Sequence, residues 1–386
     1  MGSVYGNKLK ISIFGESHGT GVGVVIDGFP AGFEIDLGYI GGFLKRRAPG
    51  GALATSRKEG DEPEILSGIY NSFTTGAPIC AFIKNKDAKS DDYQSHFAKP
   101  RPSHADYNAH IKYGGYADQR GGGHFSGRLT APLVFAGALC ADWLAKRHGV
   151  KIAARLKRVG DLTENMPDFM EEAEKLIAKI GAGGDSVGAT VECVAENVPC
   201  GLGEHMFSSV EAAISSCVFG IPGVKGIEFG RGFEFARMRG SEANDAYCYD
   251  GGEVKTKTNN NGGIIGGIST GMPIVFSVVF KPTPSIFLEQ DTIDMETGEN
   301  GKIKIEGRHD PCIGVRGVPV VEAAAAVALV DLVLGETNEK YQEFLHTQYI
   351  NEKLAEAEEC ENNPGNWLTL DEFRENLKDW QGKNNL

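Results

Sequence analysis

Hydrophobic and polar residues near the start of the chain alternate with the two-residue period of a strand. Residues 8–14 (KLKISIF) show this alternation, and residues 21–27 (GVGVVID) form a second run rich in β-branched side chains. The loop between them, residues 15–20 (GESHGT), is rich in turn formers, so the two runs predict a hairpin. Its glycines also resemble a dinucleotide-binding fingerprint. That motif must open a helix, and β-branched residues follow here, so we favour the hairpin.

Longer apolar runs predict helices. Residues 35–47 form one, with Asp36 as its N-cap, and an apolar helix from Leu129 to His148 ends at Gly149. Residues 318–335 form another, with Pro319 near its start. Ser103 and Asp106 resemble a capping box that opens a short helix. Further helices are predicted over 167–180 and 208–219, and further strands over 64–84, 186–195 and 273–280.

The order of these elements indicates the fold class. Strands and helices are interleaved without a regular strand–helix–strand repeat, which favours an α+β fold over a doubly wound sheet. Residues 1–335 contain no linker that would divide them, so we expect a single large domain there. Residues 336–386 are rich in acidic residues and predict a helical extension, with a second capping box at Thr369 and Glu372.

Composition and charge exclude several function classes. The 386 residues carry a formal net charge of −13, which argues against nucleic acid or an anionic membrane as the main partner. The eight cysteines form no C-x-x-C pair, and most lie in apolar runs, so we expect reduced, buried thiols. No leader-like segment and no uninterrupted apolar run of about 18 residues is visible, so we expect a cytoplasmic protein.

Arginine and histidine recur where glycine-rich loops run into helices, most clearly in residues 121–130 (GGGHFSGRLT). Guanidinium groups make two-point contacts to carboxylates and phosphates, and the backbone N–H groups of a helix start favour the same anions. The pattern predicts a pocket for a small polyanion. His18, His104 and Asp310 are candidate acid–base groups. No histidine pair has metal-ligand spacing and no G-x-S-x-G turn occurs, so we predict neither a metal centre nor a serine hydrolase.

Ten motifs in order over residues 6–335 resemble the chorismate synthase family. They include FGESHG, RRAPG, RPSHADY, YADQRGGGHFSGRLT, NGGIIGGIS, KPTPSI and GRHDPCIGVRGVPVVEA. The resemblance implies a β–α–β sandwich and a lyase that converts 5-enolpyruvylshikimate-3-phosphate to chorismate and phosphate by 1,4-anti elimination. It further implies reduced FMN as cofactor, without net redox change, and a homotetramer. The family acts in the shikimate pathway of aromatic amino acid biosynthesis.

The resemblance also implies roles for residues that match the family's motifs. His18 would protonate reduced flavin near N1, His104 would help the phosphate leave, and Asp310 would accept a proton near flavin N5. The expected substrate-binding residues are Arg46, Arg47, Arg57, Arg101 and Arg128. The expected flavin-binding residues are His124, Phe125, Ser126, Pro222, Gly223, Gly266, Lys281, Pro282, Thr283, Pro284, Ser285 and Arg308.

The loop at 121–130 departs from the commonest family pattern, G-G-R-S-S-A-R-E-T. His124 stands in place of an arginine and Phe125 in place of a serine, while Gly127 and Leu129 replace alanine and glutamate. The segment after RRAPG is also one residue shorter and lacks a basic residue that most relatives have, for which Arg46 or Arg57 would compensate. We interpret both differences as subfamily variation, because Arg128 and the acid–base residues are retained.

Two alternatives remain open on sequence alone. The chain could be a flavin-dependent oxidoreductase acting on an anionic small molecule, or a non-catalytic anion-binding protein. Some family members carry an NAD(P)H-dependent flavin reductase activity, but no nicotinamide-binding signature is visible here. We therefore expect a dependence on flavin that is reduced by an outside reductant.

Overall fold

Two helices with apolar residues on nearly every side must be buried, and their position determines the order of the layers. The computed structural model describes residues 2–48, 60–86, 98–305, 307 and 309–336. The helices are α1 (Leu37–Arg47), α2 (Asp106–Lys112), α3 (Thr130–His148), α4 (Phe169–Ala182), α5 (Val210–Val218), α6 (Gly240–Ala243) and α7 (Gly314–Gly335). Short 3-10 turns lie at Arg120–Phe125, Gly127–Leu129, Met206–Ser208 and Gly232–Arg237.

In the described part of the chain, the strands form two five-stranded antiparallel sheets and four small hairpins. They are β1 (Val4–Tyr5), β2 (Lys10–Gly15), β3 (Gly21–Asp27), β4 (Pro63–Ser67), β5 (Ile69–Tyr70), β6 (Phe73–Thr74), β7 (Ile79–Lys84), β8 (Lys151–Val159), β9 (Leu162–Thr163), β10 (Ala189–Glu196), β11 (Val224–Phe229), β12 (Tyr247–Asp250), β13 (Glu253–Thr256), β14 (Ile264–Ile265), β15 (Ile268–Ser269), β16 (Ile274–Phe280), β17 (Gln290–Asp294) and β18 (Glu299–Ile303). The first sheet has the order β1-β2-β3-β7-β4 and the second β11-β16-β10-β8-β9.

The long helices α3 and α7 fill the space between the two sheets. Helix α3 packs on β3 and β7 of the first sheet, α7 packs on β8 and β10 of the second, and the two helices pack on each other. Their backbones approach closely, because a Cβ added to Gly137 would lie 2.3 Å from the Cα of Ala323. The layers are therefore sheet, helices, sheet, which confirms the predicted sandwich and the α+β class.

Two buried carboxylates tie α7 to its neighbours. Glu322 accepts two hydrogen bonds from the guanidinium of Arg46, at 2.7 and 2.8 Å, and one from the backbone N–H of Ala154 at 2.7 Å. Asp331 accepts backbone N–H groups of residues 7–9 at 2.7–3.0 Å. Buried carboxylates need such partners, so these contacts fix α7 against α1, against β8 and against the start of β2.

Several local predictions are confirmed. Strands β2 and β3 pair as an antiparallel hairpin, so the dinucleotide-binding alternative is wrong for their glycines. Asp36 caps α1 by accepting the N–H of Tyr39 at 2.9 Å. Gly149 ends α3 in the left-handed conformation with φ 65°, which a glycine adopts without steric cost.

Other predictions are wrong or lie outside the described residues. The predicted capping box fails, because Ala105 precedes the first residue of α2, and Ser103 has a left-handed φ of 58° and does not cap the helix. Helix α7 begins at Gly314, so Pro319 lies inside it. Cys200 is exposed, whereas Cys140, Cys193, Cys217 and Cys312 are buried. Of the predicted acidic extension, only Glu336 belongs to the described residues.

Among the residues that the structure describes, two helical segments, residues 127–148 and 314–335, are long and apolar enough to cross a membrane. Their most apolar stretches are 89% and 83% buried inside the protein. They are therefore the helices of the core.

The contact between α3 and α7 predicts an asymmetry between two glycine substitutions. Gly137→Ala places a methyl group against the backbone of Ala323, so we expect it to lower the free energy of unfolding by about 1–3 kcal/mol. Gly41→Ala, on the exposed face of α1 with no atom within 4 Å of the new methyl group, should raise it by about 0.5–1 kcal/mol. Urea denaturation followed by circular dichroism measures both, and equal effects would contradict the close packing.

Candidate functional site

A cleft of about 840 Å³ opens where several predicted site residues meet. The residues that line it include 121 and 124–130, which lead into α3, and six residues at the start of α7: His309, Asp310, Ile313, Arg316, Gly317 and Val320. Six cationic side chains are among its lining residues: Arg47, Arg101, Arg128, Lys225, Lys281 and Arg316. Asp310 is the one acidic residue among those lining residues. The cleft is thus a cationic site in a protein with a net charge of −13, as the sequence predicts.

The three glycines at 121–123 let the backbone pass between two histidines. Gly121, Gly122 and Gly123 have φ values of 61°, 106° and 52°, which glycine adopts readily. A Cβ on Gly121 would lie 2.0 Å from the ring of His18, and one on Gly122 would lie 3.1 Å from the ring of His104. The segment therefore brings the two histidines close to the same stretch of backbone, although they are 86 residues apart.

His18 is held from the side of the β2–β3 loop. It is 8% exposed, and its Nδ1 lies 3.0 Å from the hydroxyl of Ser17. The N–H of Ser17 donates to the carbonyl of Gly123 at 3.1 Å, which joins this loop to the glycine segment. His18 is not itself among the cleft-lining residues, but Gly121, against which it packs, is.

His104 belongs to a cluster with Arg101 and Asp106. Its Nδ1 lies 2.6 Å from Oδ1 of Asp106, and Asp106 also accepts from Nε and Nη2 of Arg101 at 2.7 and 2.8 Å. Burial opposes ionisation of the Asp106 carboxyl, but the hydrogen bonds from Arg101 and His104 outweigh it and hold its pKa well below the usual range. The sequence analysis assigned Asp106 to a helix cap and missed this role.

Arg47 and Arg128 share the carboxylate of Asp61, and all three side chains are buried. Arg47 Nε donates to Asp61 at 2.9 Å, and Arg128 binds the other oxygen while donating to the side chain of Asn85 at 3.1 Å. The trio keeps one net positive charge at the cleft. Sequence reasoning missed Asp61, since nothing in its local pattern indicates that two distant arginines converge on it.

Asp310 and Arg316 form the part of the site contributed by the start of α7. Arg316 donates to Asp310 at 2.6 Å and to the backbone carbonyl of Arg47 at 2.9 Å. Arg316 follows the RHD motif in the sequence but is not among the predicted binding residues. Its geometry places it in the cleft between the α1 and α7 segments.

The predicted flavin-binding residues at 124–126 are engaged with the protein itself. His124 lies between the hydroxyl of Ser3, 2.7 Å from Nε2, and the carbonyl of Gly15, 2.8 Å from Nδ1. The ring of Phe125 packs against Tyr113 with 6.4 Å between centroids. Ser126 accepts the N–H of Arg128 at 3.2 Å. All three line the cleft.

The opposite wall contains the other predicted flavin residues. Lys281 donates to the carbonyl of Ser103 at 2.5 Å, and burial, with the charge of Lys225 nearby, lowers the pKa of its ammonium group. Thr283 donates to the carbonyl of Asp310 at 2.7 Å. Together with Lys281 and Thr283, the predicted residues that line this part of the cleft are Pro222, Gly223, Pro284 and Ser285.

Some predicted residues do not line the cleft. Arg46 is not among the lining residues, and its guanidinium pairs with Glu322 of α7. Its assignment to the substrate stays a prediction. Gly266 lies in the turn between β14 and β15, and Pro282 packs near Gly188; neither is a lining residue. The predictions for Arg57 and Arg308 concern residues outside those that the structure describes.

The described residues indicate which chemistries this site supports. Burial, with a smaller contribution from Asp331, raises the pKa of the cleft-lining Cys217 thiol to about 12, so that thiol is a poor nucleophile at neutral pH. Among the described residues, no group of three or more histidine, cysteine or acidic side chains is arranged to hold a metal ion. Histidine and carboxylate groups beside arginines suit proton transfer on an anionic molecule.

Comparisons with known proteins identify the family of this chain. The chorismate synthase family model matches residues 9–334. The chain belongs to the chorismate synthase family. The chorismate synthase of Thermococcus gammatolerans is 46% identical over 352 residues, covering 85% of this chain and 97% of that protein. That of Chitinophaga pinensis is 48% identical over 332 residues, covering 86% and 96%. A crystal structure of chorismate synthase matches with a TM-score of 0.68 at 27% identity, covering 91% of this chain and 99% of that chain.

Family membership establishes the general activity. The chain is an enzyme, a lyase of the shikimate pathway that acts on a small molecule, and the family is flavin-dependent. Within the described part of the chain, arginines, lysines and acid–base groups converge on the cleft described above. The two alternatives drawn from the sequence, an oxidoreductase and a non-catalytic binding protein, lose their support.

The packing of Gly121 against His18 predicts a loss of turnover without unfolding. Gly121→Ala would push the His18 ring away, so we expect the turnover rate to fall at least tenfold while the circular dichroism spectrum stays native. Gly114→Ala is the matched control, because Gly114 has a similar φ of 58° and its new methyl group would meet only Tyr116 at 3.9 Å. Equal losses in the two variants would show that backbone strain, rather than His18, is responsible.

The paired state of Asp106 predicts a pH dependence of stability. The pKa of the Asp106 carboxyl is depressed in the folded protein. The stabilisation that this carboxylate gives the folded state is therefore complete above the ordinary pKa of 3.8, and it is lost as the pH falls below 3.8. Asp106→Asn should therefore lower the free energy of unfolding at pH 7, and the difference from the native enzyme should shrink between about pH 4 and pH 2. Urea titrations across that range measure the difference, and a constant difference would contradict the assigned pKa shift.

Proposed function

We propose that the enzyme converts 5-enolpyruvylshikimate-3-phosphate to chorismate and inorganic phosphate by 1,4-anti elimination. The bond from carbon to the phosphate oxygen breaks at one end of the allylic system, and a C–H bond breaks at the other. The phosphate leaves with the electron pair of its C–O bond, and the hydrogen is finally lost as a proton. The observation that carries the proposal is the convergence of six cationic side chains, His104 and Asp310 on one cleft, with His18 packed against its lining residue Gly121.

The arginines fit a substrate with two carboxylates and a phosphate. Arg47 and Arg128 are oriented by Asp61, and Arg101 is oriented by Asp106, so each guanidinium is fixed before an anion arrives. Bidentate geometry makes arginine suitable for both anion types. We assign these three residues to the substrate and leave Arg46 out, because it is bound to Glu322.

The cofactor is reduced FMN in this proposal. A cleft of about 840 Å³ falls within the range of pockets that hold cofactors, and its wall at Lys281, Thr283 and Ser285 offers an ammonium group and hydroxyls to a phosphate or a ring edge. Pro222 and Gly223 lie on the same cleft. When bound, reduced FMN supplies electron density to the substrate transiently and recovers it, so no net oxidation occurs. Phe125 presents an apolar surface that helps exclude water.

Family membership and the positions of the side chains support the acid–base roles that we propose. His104, beside Arg101, would give a proton to the departing phosphate. Asp310, beside Arg316, would accept a proton near flavin N5, and His18 would protonate the flavin near N1. His18 is largely buried and packs against Gly121. It would therefore act on the cleft from the edge of the glycine segment.

The oligomeric state, the location and the source of reduced flavin complete the proposal. We propose a homotetramer in the cytoplasm, with flavin reduced by an outside reductant. The glycines of the G-x-G-x-G pattern at residues 19–23 lead into β3 and not into a helix. The one nicotinamide-like pattern in the sequence therefore does not support a nicotinamide site.

The test is anaerobic turnover of 5-enolpyruvylshikimate-3-phosphate with photoreduced FMN and without NADPH. We expect chorismate absorbance and phosphate release in equal amounts, with the flavin still reduced at the end. Asp310→Asn should lower the rate by about 10²–10⁴-fold while oxidised FMN still binds, since a proton acceptor is removed without loss of cleft cations. Flavin oxidised in step with product would instead support hydride transfer, and FMN binding without product would support a binding protein.

A further inference from the structure

The carboxylate of Asp106 makes four polar contacts and is 8% exposed. It accepts the backbone N–H and two guanidinium N–H groups of Arg101 at 2.7–3.0 Å, and it lies 2.6 Å from Nδ1 of His104. Sequence position alone would make Asp106 a helix-start residue of α2. Its contacts are instead directed back to the two cleft residues that precede the helix.

The contacts decide which nitrogen of His104 carries a proton. Nδ1 lies 3.1 Å from Arg101 Nη2, which can only donate, and 2.6 Å from Asp106 Oδ1, which can only accept when ionised. The two contacts require opposite states of Nδ1. The carboxylate contact is shorter, and Arg101 Nη2 already donates to the same Asp106 oxygen at 2.8 Å, so the proton is on Nδ1.

The other edge of the ring lies on the side of the glycine segment. Nε2 and Cε1 of His104 are the atoms nearest to a Cβ added at Gly122, both at 3.1 Å, and His104 itself lines the cleft. Because the proton on Nδ1 is donated to Asp106, Nε2 is the ring nitrogen that takes up a further proton and delivers it. The carboxylate also balances the positive charge of the ring while Nε2 holds that proton.

We propose that Asp106 is a positioning residue that fixes the tautomer and orientation of His104, so that Nε2 presents a proton to the departing phosphate. This inference rests on the proposed function of His104. Asp106 acts through two neighbours at once: it sets the proton position on His104 and the orientation of Arg101. An ordinary ion pair at a helix start would set neither.

The test combines the proton position with the kinetics. In Asp106→Asn the side-chain oxygen can still accept from Arg101, while the NH₂ group faces Nδ1 and places the His104 proton on Nε2. We expect kcat to fall by about 10²–10⁴-fold with a KM change of less than about fivefold. Asp106→Glu, which keeps a carboxylate, should recover at least a tenth of the native rate.

The proton position is read directly by magic-angle-spinning NMR of the full chain labelled with ¹⁵N-histidine, with His104→Gln to assign the signal. The native enzyme should show a protonated Nδ1, and Asp106→Asn should show the proton on Nε2. Glu192→Gln is the matched control: Glu192 is also a largely buried carboxylate held by two cations, Arg155 and Lys157, but it lies on the second sheet away from the cleft lining. It should retain at least half of the native rate.

The outcomes separate this inference from the proposed function. A native His104 with its neutral-state proton on Nε2 overturns the inference, even if no variant folds. So does an Asp106→Asn enzyme that turns over at the native rate beside an active native enzyme. A native enzyme that releases no phosphate contradicts the proposed function instead, whatever tautomer the NMR spectrum shows.

Discussion

The close contact between α3 and α7 holds both sheets in place. Both helices are apolar on nearly all sides, so each needs a partner on every face. A sheet covers the outer face of each helix, and the other helix covers the inner face at the Gly137–Ala323 approach. The buried carboxylates of α7, Glu322 and Asp331, are satisfied by α1, by β8 and by the start of β2. The two sheets are therefore joined through the helices.

This packing also determines where the cleft forms. Arg128 and Thr130 at the start of α3, and Ile313 and Arg316 at the start of α7, all line it. The N-terminal ends of the two longest helices thus face the same space, and their dipoles add positive potential to that of the side chains. An acidic protein can bind a polyanion at such a place because the local field, rather than the net charge, acts at short range.

The sequence predicts contacts within a segment well and contacts between segments poorly. The β2–β3 hairpin, the Asp36 cap and the end of α3 depend on neighbouring residues, and each was predicted correctly. The packing of Gly121 against His18 joins segments about 100 residues apart, and no local pattern indicates it. The partners of Arg46 and Arg47 are a second example of contacts that no local pattern indicates. Adjacent residues on a helix point about 100° apart, so Arg46 reaches Glu322 and Arg47 reaches Asp61. Only the neighbouring layers decide which of them faces the cleft.

Asp61, Asp106 and Asp310 share one physical role. Each binds one or two of the cleft arginines, and each was either missed or assigned another role in the sequence. Without such partners, four guanidinium groups around one cleft would repel one another and lose hydration without compensation. With them, the groups are held in fixed orientations before any ligand arrives. The carboxylates reduce the charge of the cleft but remove the reorganisation that binding a substrate with three anionic groups would otherwise require. For an elimination in which charge moves onto a leaving phosphate, fixed donors contribute more than additional unoriented charge.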